Sequence, residues 1–261
     1  MRSMNIAATG MLAQQLNVEV ISNNIANLNT TGFKRQRAEF QDLIYQTLRR
    51  AGATSTDAGT IVPAGVQIGV GVKAAAVYRI NEQGNVIKTD NALDVAIQGR
   101  GLFQVRMPDG TTSYTRAGSF QLSPTGEIVT ADGLVVEPGI ALPEDTIAIT
   151  INASGEVLAE IPGQEALQTV GQFELATFAN EAGLENIGDN LLVETAASGA
   201  PQTGVPGSLG FGKLQQGFVE TSNVNVVAEI TNLITAQRAY EMNSKVIQVS
   251  DEMSRTLTNF R

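Results

Sequence analysis

Residues 3–28, SMNIAATGMLAQQLNVEVISNNIANL, set Met4, Met11, Val18 and Ile25 seven residues apart, with Ala7, Gln14, Ile21 and Leu28 in the interleaved positions. That three-four spacing is the seam of a helix, predicted over 3–28, which at 1.5 Å per residue would run about 40 Å. The stretch then turns polar: SNNIANLNTTGFKR, residues 22–35, carries Asn23, Asn24, Asn27 and Asn29. Asparagine is a poor helix former because its amide competes for nearby backbone groups. Gly32 can adopt the left-handed conformation that often closes a helix, and Asn29 to Thr31 predict fraying before it.

The far end mirrors this pattern. In the segment 223–260, Val226, Ile230, Leu233, Gln237, Tyr240, Ser244 and Ile247 make one helical stripe, and Ala239, Met242, Val246, Val249, Met253, Leu257 and Phe260 make a second. Two offset stripes form an apolar face broader than one partner helix requires, so more than one helical neighbour is expected.

Between the ends the texture changes to short alternating runs such as LFQVRMPDGTTSYTR (102–116), SFQLSPTGEIVTADGLVV (119–136) and GQFELATF (171–178). The pairs Asp109-Gly110, Thr125-Gly126, Asp132-Gly133 and Ser154-Gly155 are turn signals between strands. The segment 46–72, rich in Gly, Ala and Thr, reads as an extended connector or hairpin. The fold class is therefore α+β, with long terminal helices pairing as a coiled-coil-like unit around a mainly β centre. The predicted division is an N-terminal helix at 1–30, a connector or hairpin at 31–72, a β domain at 73–216 and a C-terminal helix at 217–261.

Composition narrows the function. The 261 residues include no His, Cys or Trp, which removes thiol chemistry, imidazole bases and most metal sites. GVQIGVGVK at 65–73 lacks the Gly-Lys-Ser/Thr that opens a helix in a phosphate loop, and GRG at 99–101 reads as a turn or bulge. Glu144-Asp145 and Asp251-Glu252 are adjacent pairs that point apart on regular structure and read as solvated. Net charge is −9, unevenly spread: thirteen acidic and no basic residues lie between Arg116 and Lys213, so that stretch carries −13 and the rest +4. An acidic middle argues against nucleic acid and fits either a solubilising surface or like-charge spacing between copies. No run of 18 apolar residues predicts a membrane span, and the start lacks the apolar core of a secretory signal.

Two stripes at opposite chain ends could close a helical hairpin on the β domain within one molecule. They could also leave apolar area for other copies to bury, because a two-helix unit has little third surface to cover it.

Four ordered stretches resemble one family, the axial rod and hook proteins of the bacterial flagellum, and most closely its distal rod members. They are SNNIANLNTTGFKR (22–35), NALDVAIQGRGLFQV (91–105), YTRAGSFQLSPTGEIVTADG (114–133) and GFVETSNVNVVAEITNLITAQRAYEMNSKVI (217–247). The connector at 46–63 resembles a segment of distal rod proteins that hook proteins generally lack and that accompanies a straight, rigid tube.

The resemblance implies a helical homopolymer, with paired terminal helices inside and the β domain outside, that carries torque from motor to hook. It implies other rod proteins, the hook protein, the P- and L-ring proteins and the flagellar type III export apparatus as partners. It also implies a place in the basal-body rod spanning the periplasm, reached without a cleaved signal peptide. No enzyme activity, cofactor, metal, nucleic acid or membrane insertion is expected. The expected polymerisation seam is Met4, Met11, Val18, Ile21, Ile25 and Leu28 against Val226, Ile230, Leu233, Gln237, Tyr240 and Ile247. Asn23, Asn24 and Asn27 would set register between neighbouring chains. The rival readings are a proximal rod protein, a secreted β-rich binding module, and a hydrolase working with carboxylates alone.

Overall fold

A computed structural model describes residues 2–50, 52, 64–163 and 166–259, and these divide into two units. The first gathers residues 1–25, 36–78 and 225–261; the second gathers 26–35 and 79–224. An N-terminal helix, a mainly β centre and a C-terminal helix make the chain α+β.

In the first unit, helix α1 spans Arg2–Ala26 and helix α2 spans Val226–Asn259. Helix α1 stops two residues short of the expected Leu28. The Asn27 carbonyl accepts the Thr30 N–H at 3.3 Å and its Oδ1 accepts the Thr30 hydroxyl at 3.1 Å, a local turn that replaces helical bonding. Gly32 is left-handed, at φ 71°, but lies too far along to close the helix. Its role is a close approach: a Cβ there would sit 2.7 Å from the Ala117 backbone nitrogen. Helix α2 starts on Asn225, whose side-chain oxygen accepts the Ala228 N–H at 3.2 Å as an N-cap. Phe260, the last member of the second predicted stripe, lies outside the described residues, as does the Leu257 side chain.

Strands β1 (Gln36–Asp42), β2 (Tyr45–Arg49), β3 (Val66–Gly69) and β4 (Val72–Arg79) form a long two-stranded ribbon, β1 pairing with β4 and β2 with β3. Pairing runs Tyr45↔Gly69, Gln46↔Ile68 and Thr47↔Gln67, then slips at a bulge to Arg49↔Val66. The Leu43 N–H to Gly71 carbonyl bond of 2.8 Å joins the two halves. Residues 53–63 of the connector lie outside the described residues. The ribbon meets α1 at Thr9, whose hydroxyl donates to the Ile6 carbonyl at 2.8 Å and accepts the Val72 N–H at 3.3 Å. Gly71 must be glycine here, since any Cβ would overlap the Thr9 side chain and its φ is 139°.

The second unit is built around the strand Leu102–Arg106. Thr112–Thr115 pairs along one edge, and Leu175–Thr177 and Val135–Val136 share the other. The sheet continues through Ile128–Val129 and Gln121–Leu122 on one side and through Leu191–Val193 and Glu185–Gly188 on the other. A separate meander of Ala148–Ile151, Glu156–Glu160 and Gln168–Gln172 packs into the same core. All four predicted turn glycines, 110, 126, 133 and 155, have left-handed φ between 80° and 85°. The core is dominated by three phenylalanines. Phe103 meets Phe120 edge-on at 5.0 Å and Phe173 at 6.1 Å, with Val95, Ile97, Ile128, Val136, Val157 and Leu175 around them.

Candidate assembly site

Within the first unit the two helices touch at points one or two heptads apart. Ser3 Oγ lies 3.1 Å from Ser250 Oγ. Gly10 faces Asn243, where a Cβ would come within 2.9 Å of the amide nitrogen. Asn24 Nδ2 donates to Glu229 Oε2 at 3.3 Å. Positions rise along α1 as they fall along α2, so the contact line is antiparallel. Ala236 lies one heptad from both Glu229 and Asn243 and is buried like Glu229 and Ser250. Small and polar side chains occupy this line because they let two helix backbones come close.

The expected seam residues are distributed around that line. Ile21 is buried; Met4, Met11, Val18, Ile25, Val226, Leu233 and Ile247 are half-buried. Ile230, at 45% exposure, Tyr240 and Gln237 face outward. Asn27 and Leu28 are half-buried and belong to the second unit. Of the asparagines, Asn23 is exposed and Asn24 is 1% exposed. The Asn24 amide is directed to groups of its own chain: Nδ2 donates to the Gln36 carbonyl and Oδ1 accepts the Gln36 N–H, both at 2.8 Å. Hydropathy could not single out the contact line, since Ser, Gly, Asn and Ala carry no apolar signal.

The outward side of α2 carries a second apolar row: Val227, Ile230, Ile234, Met242, Val246, Val249 and Met253 are all exposed, Val227 at 75%. The ribbon adds Ile44, Tyr45, Leu48, Val66 and Ile68, with Ile44 at 82%. An exposed apolar surface of this extent makes this face the candidate site for association. No helix among the described residues is long and apolar enough to cross a membrane.

The second unit contains a buried charge cluster that composition and periodicity do not reveal. The Glu220 carboxylate receives Arg116 Nε at 2.6 Å, Lys34 Nζ and the Gly84 N–H at 2.8 Å. The rest of the Arg116 guanidinium donates to the carbonyls of Ile97, Gly99 and Gly101. This explains the GRG turn: Gly99 and Gly101, at φ 110° and 136°, curl the chain so that its carbonyls face one guanidinium. Burial alone would raise the Glu220 pKa, but Arg116, Lys34 and the Gly84 N–H outweigh it and hold the carboxyl below its ordinary range. Burial pulls the Lys34 ammonium down, partly offset by Glu220. Lys34, Arg116 and Glu220 each sit inside one of the recognised motifs, which is the one signal in the sequence that marks them.

Comparison with known proteins matches residues 4–34 to the family described as flagella basal body rod protein. Residues 96–159 match the flagellar hook protein FlgE/F/G D1 domain, and 215–260 the flagellar basal body rod FlgEFG protein C-terminal region. The flagellar basal-body rod protein FlgG of Caulobacter vibrioides is 59% identical over 261 residues, 100% of both chains. The protein of that name from Agrobacterium fabrum is 55% identical over 254 residues, 97% of each chain. That of Bacillus subtilis is 40% identical over 266 residues, covering 100% of this chain and 99% of its own.

Proposed function

Because the chain belongs to the flagellar basal-body rod and hook family, whose members are structural proteins and not enzymes, we propose that it is a distal rod subunit. It polymerises through its helical unit into a rigid tube that passes torque from motor to hook. The full-length likeness to proteins named FlgG supports the distal position over the proximal one. In this reading the terminal helices pair as an antiparallel coiled coil, and their outward faces, with the ribbon, meet other copies. The acidic β domain is the outer layer, and the segment around 46–63 stiffens the tube. The partners are other rod proteins, the hook protein, the P- and L-ring proteins and the flagellar export apparatus.

One observation carries the assembly reading: the outward row on α2 is apolar over seven side chains with solvent against it. Each gains on the order of 1 kcal/mol on further burial. Together, and with the ribbon's apolar residues, they match the roughly 4–15 kcal/mol that association costs. Electron microscopy of concentrated protein is the test. Tubes are expected from the natural chain and none from Ile234→Glu. Tubes formed equally well by the variant would remove α2's outward face from the interface, and a stable monomer at every concentration would favour a binding module.

A further inference from the structure

The contacts between α1 and α2 fall on one heptad position of each helix, and their chemistry changes from one to the next. Ser3 meets Ser250, Gly10 meets Asn243 and Asn24 meets Glu229. The same register sets the half-buried Asn17 opposite the buried Ala236. The line thus joins two hydroxyls at one end, a larger side chain to a smaller one at the next two layers, and an amide donor to a carboxylate at the other end. The neighbouring apolar positions carry no such distinction. Val226, Leu233 and Ile247 are all half-buried and stand whole heptads apart, so a slip of one heptad exchanges one aliphatic side chain for another.

We infer that the Asn24–Glu229 pair is a register key, selecting one alignment of α1 on α2 from among those the apolar positions allow. A buried polar group in a helical pair fixes register at some cost in stability. Asn24 is preset for the task. Its Oδ1 accepts the Gln36 N–H and its Nδ2 donates to the Gln36 carbonyl, both at 2.8 Å, which fixes the amide and leaves Nδ2 a second hydrogen for Glu229 Oε2 at 3.3 Å. Both side chains are buried, so little water competes for the bond. A slip of one heptad in one direction sets Asn243 against Asn17, two amides where one faced glycine, and carries Glu229 past the end of α1 at Ala26. A slip in the other direction gives Glu229 to Asn17, but it sets Gly10 against Ala236, which leaves a gap, and carries Asn24 beyond the start of α2 at Val226. A hydrogen bond to a charged group favours the observed alignment roughly tenfold to a hundredfold. This deepens the assembly reading and rests on it for its purpose: the register fixes where the outward row of α2 stands along the helical pair, so that every copy offers its neighbours the same surface.

The chain has no cysteine, so spin labels at Gln15→Cys on α1 and Lys245→Cys on α2, both exposed and off the contact line, report the alignment of the two helices. The labelled full chain is diluted into an excess of unlabelled natural chain, so that the distance is read within one molecule whether or not copies have assembled. One narrow distribution is expected with Glu229 in place, and the same with Glu229→Gln, which still accepts from Asn24. In Glu229→Leu a second population is expected, displaced along the axis by about 10 Å, one heptad, while helix content by circular dichroism holds, because an apolar side chain replaces the buried carboxylate without loss of packing. A broad distribution in the natural background, a single unchanged distribution in Glu229→Leu, or the same splitting in Glu229→Gln overturns the key. Loss of helix in Glu229→Leu also overturns it, since that residue would then be holding the pair together and not choosing its alignment. Electron micrographs of the unlabelled natural chain test the assembly reading separately.

Discussion

The two units handle apolar surface in opposite ways. The second encloses Phe103, Phe120 and Phe173 in one continuous core and pairs its buried charges inside the fold. Among the described residues, the first has only Val20 and Ile21 as large buried apolar side chains, while α2 and the ribbon hold most of the exposed ones. The difference separates two jobs. A closed core makes a unit that is folded as a single chain, and an open apolar surface is what the proposed assembly would bury.

The strongest way to break this comparison is Phe103→Ala. It should cost about 3–5 kcal/mol of β-unit stability, read as a lower urea midpoint. A loss under 1 kcal/mol would mean the core is not the closed structure described.

Next in size is Glu220→Gln, which strands Arg116 and Lys34 without a buried counter-charge and should cost about 3 kcal/mol at neutral pH. The same site predicts a pH dependence. The folded Glu220 pKa lies below its unfolded value, so its contribution is fully present above the ordinary carboxylate range and is lost as pH falls through the lowered pKa. Acid titration of the natural chain should therefore lose this share of stability at low pH, and the variant should show a shallower acid limb. Identical limbs would mean that the cluster is not what holds Glu220 ionised.

A smaller effect sharpens the picture of the helical unit. Asn225→Ala removes the α2 N-cap and should cost about 1 kcal/mol of helix stability, seen as faster exchange in the first turn alone. The smallest effect on the monomer is expected for Ile234→Glu, within about 0.5 kcal/mol because the site is exposed. If that variant unfolds the monomer, the outward row of α2 is core and the contrast between the units fails.

Much of this architecture is legible along the chain. The seven-residue recurrence from Met4 to Ile25 and the long stripes after Val226 mark two helices, because local periodicity is a property of neighbouring residues. The Asp-Gly, Thr-Gly and Ser-Gly pairs mark their turns for the same reason, since left-handed backbone is a local demand. The line along which the helices touch was less legible. Large apolar residues such as Leu233 and Ile230 draw attention, whereas contact passes through Ser3, Gly10 and Asn24, whose value lies in being small or polar opposite a particular partner. The asparagine run reads as an awkward helix end, yet Asn24 is a side chain matched to both backbone groups of one residue, Gln36.

By itself, then, the sequence determined the kinds of element, their order and the acidic middle, because these depend on residue type and short-range spacing. Only the tertiary structure decided that Lys34, 186 positions from Glu220, shares its carboxylate with Arg116, and that Asn24 takes both backbone groups of Gln36. Such pairings depend on which distant segments the fold brings to within 3 Å, and no local pattern encodes that distance.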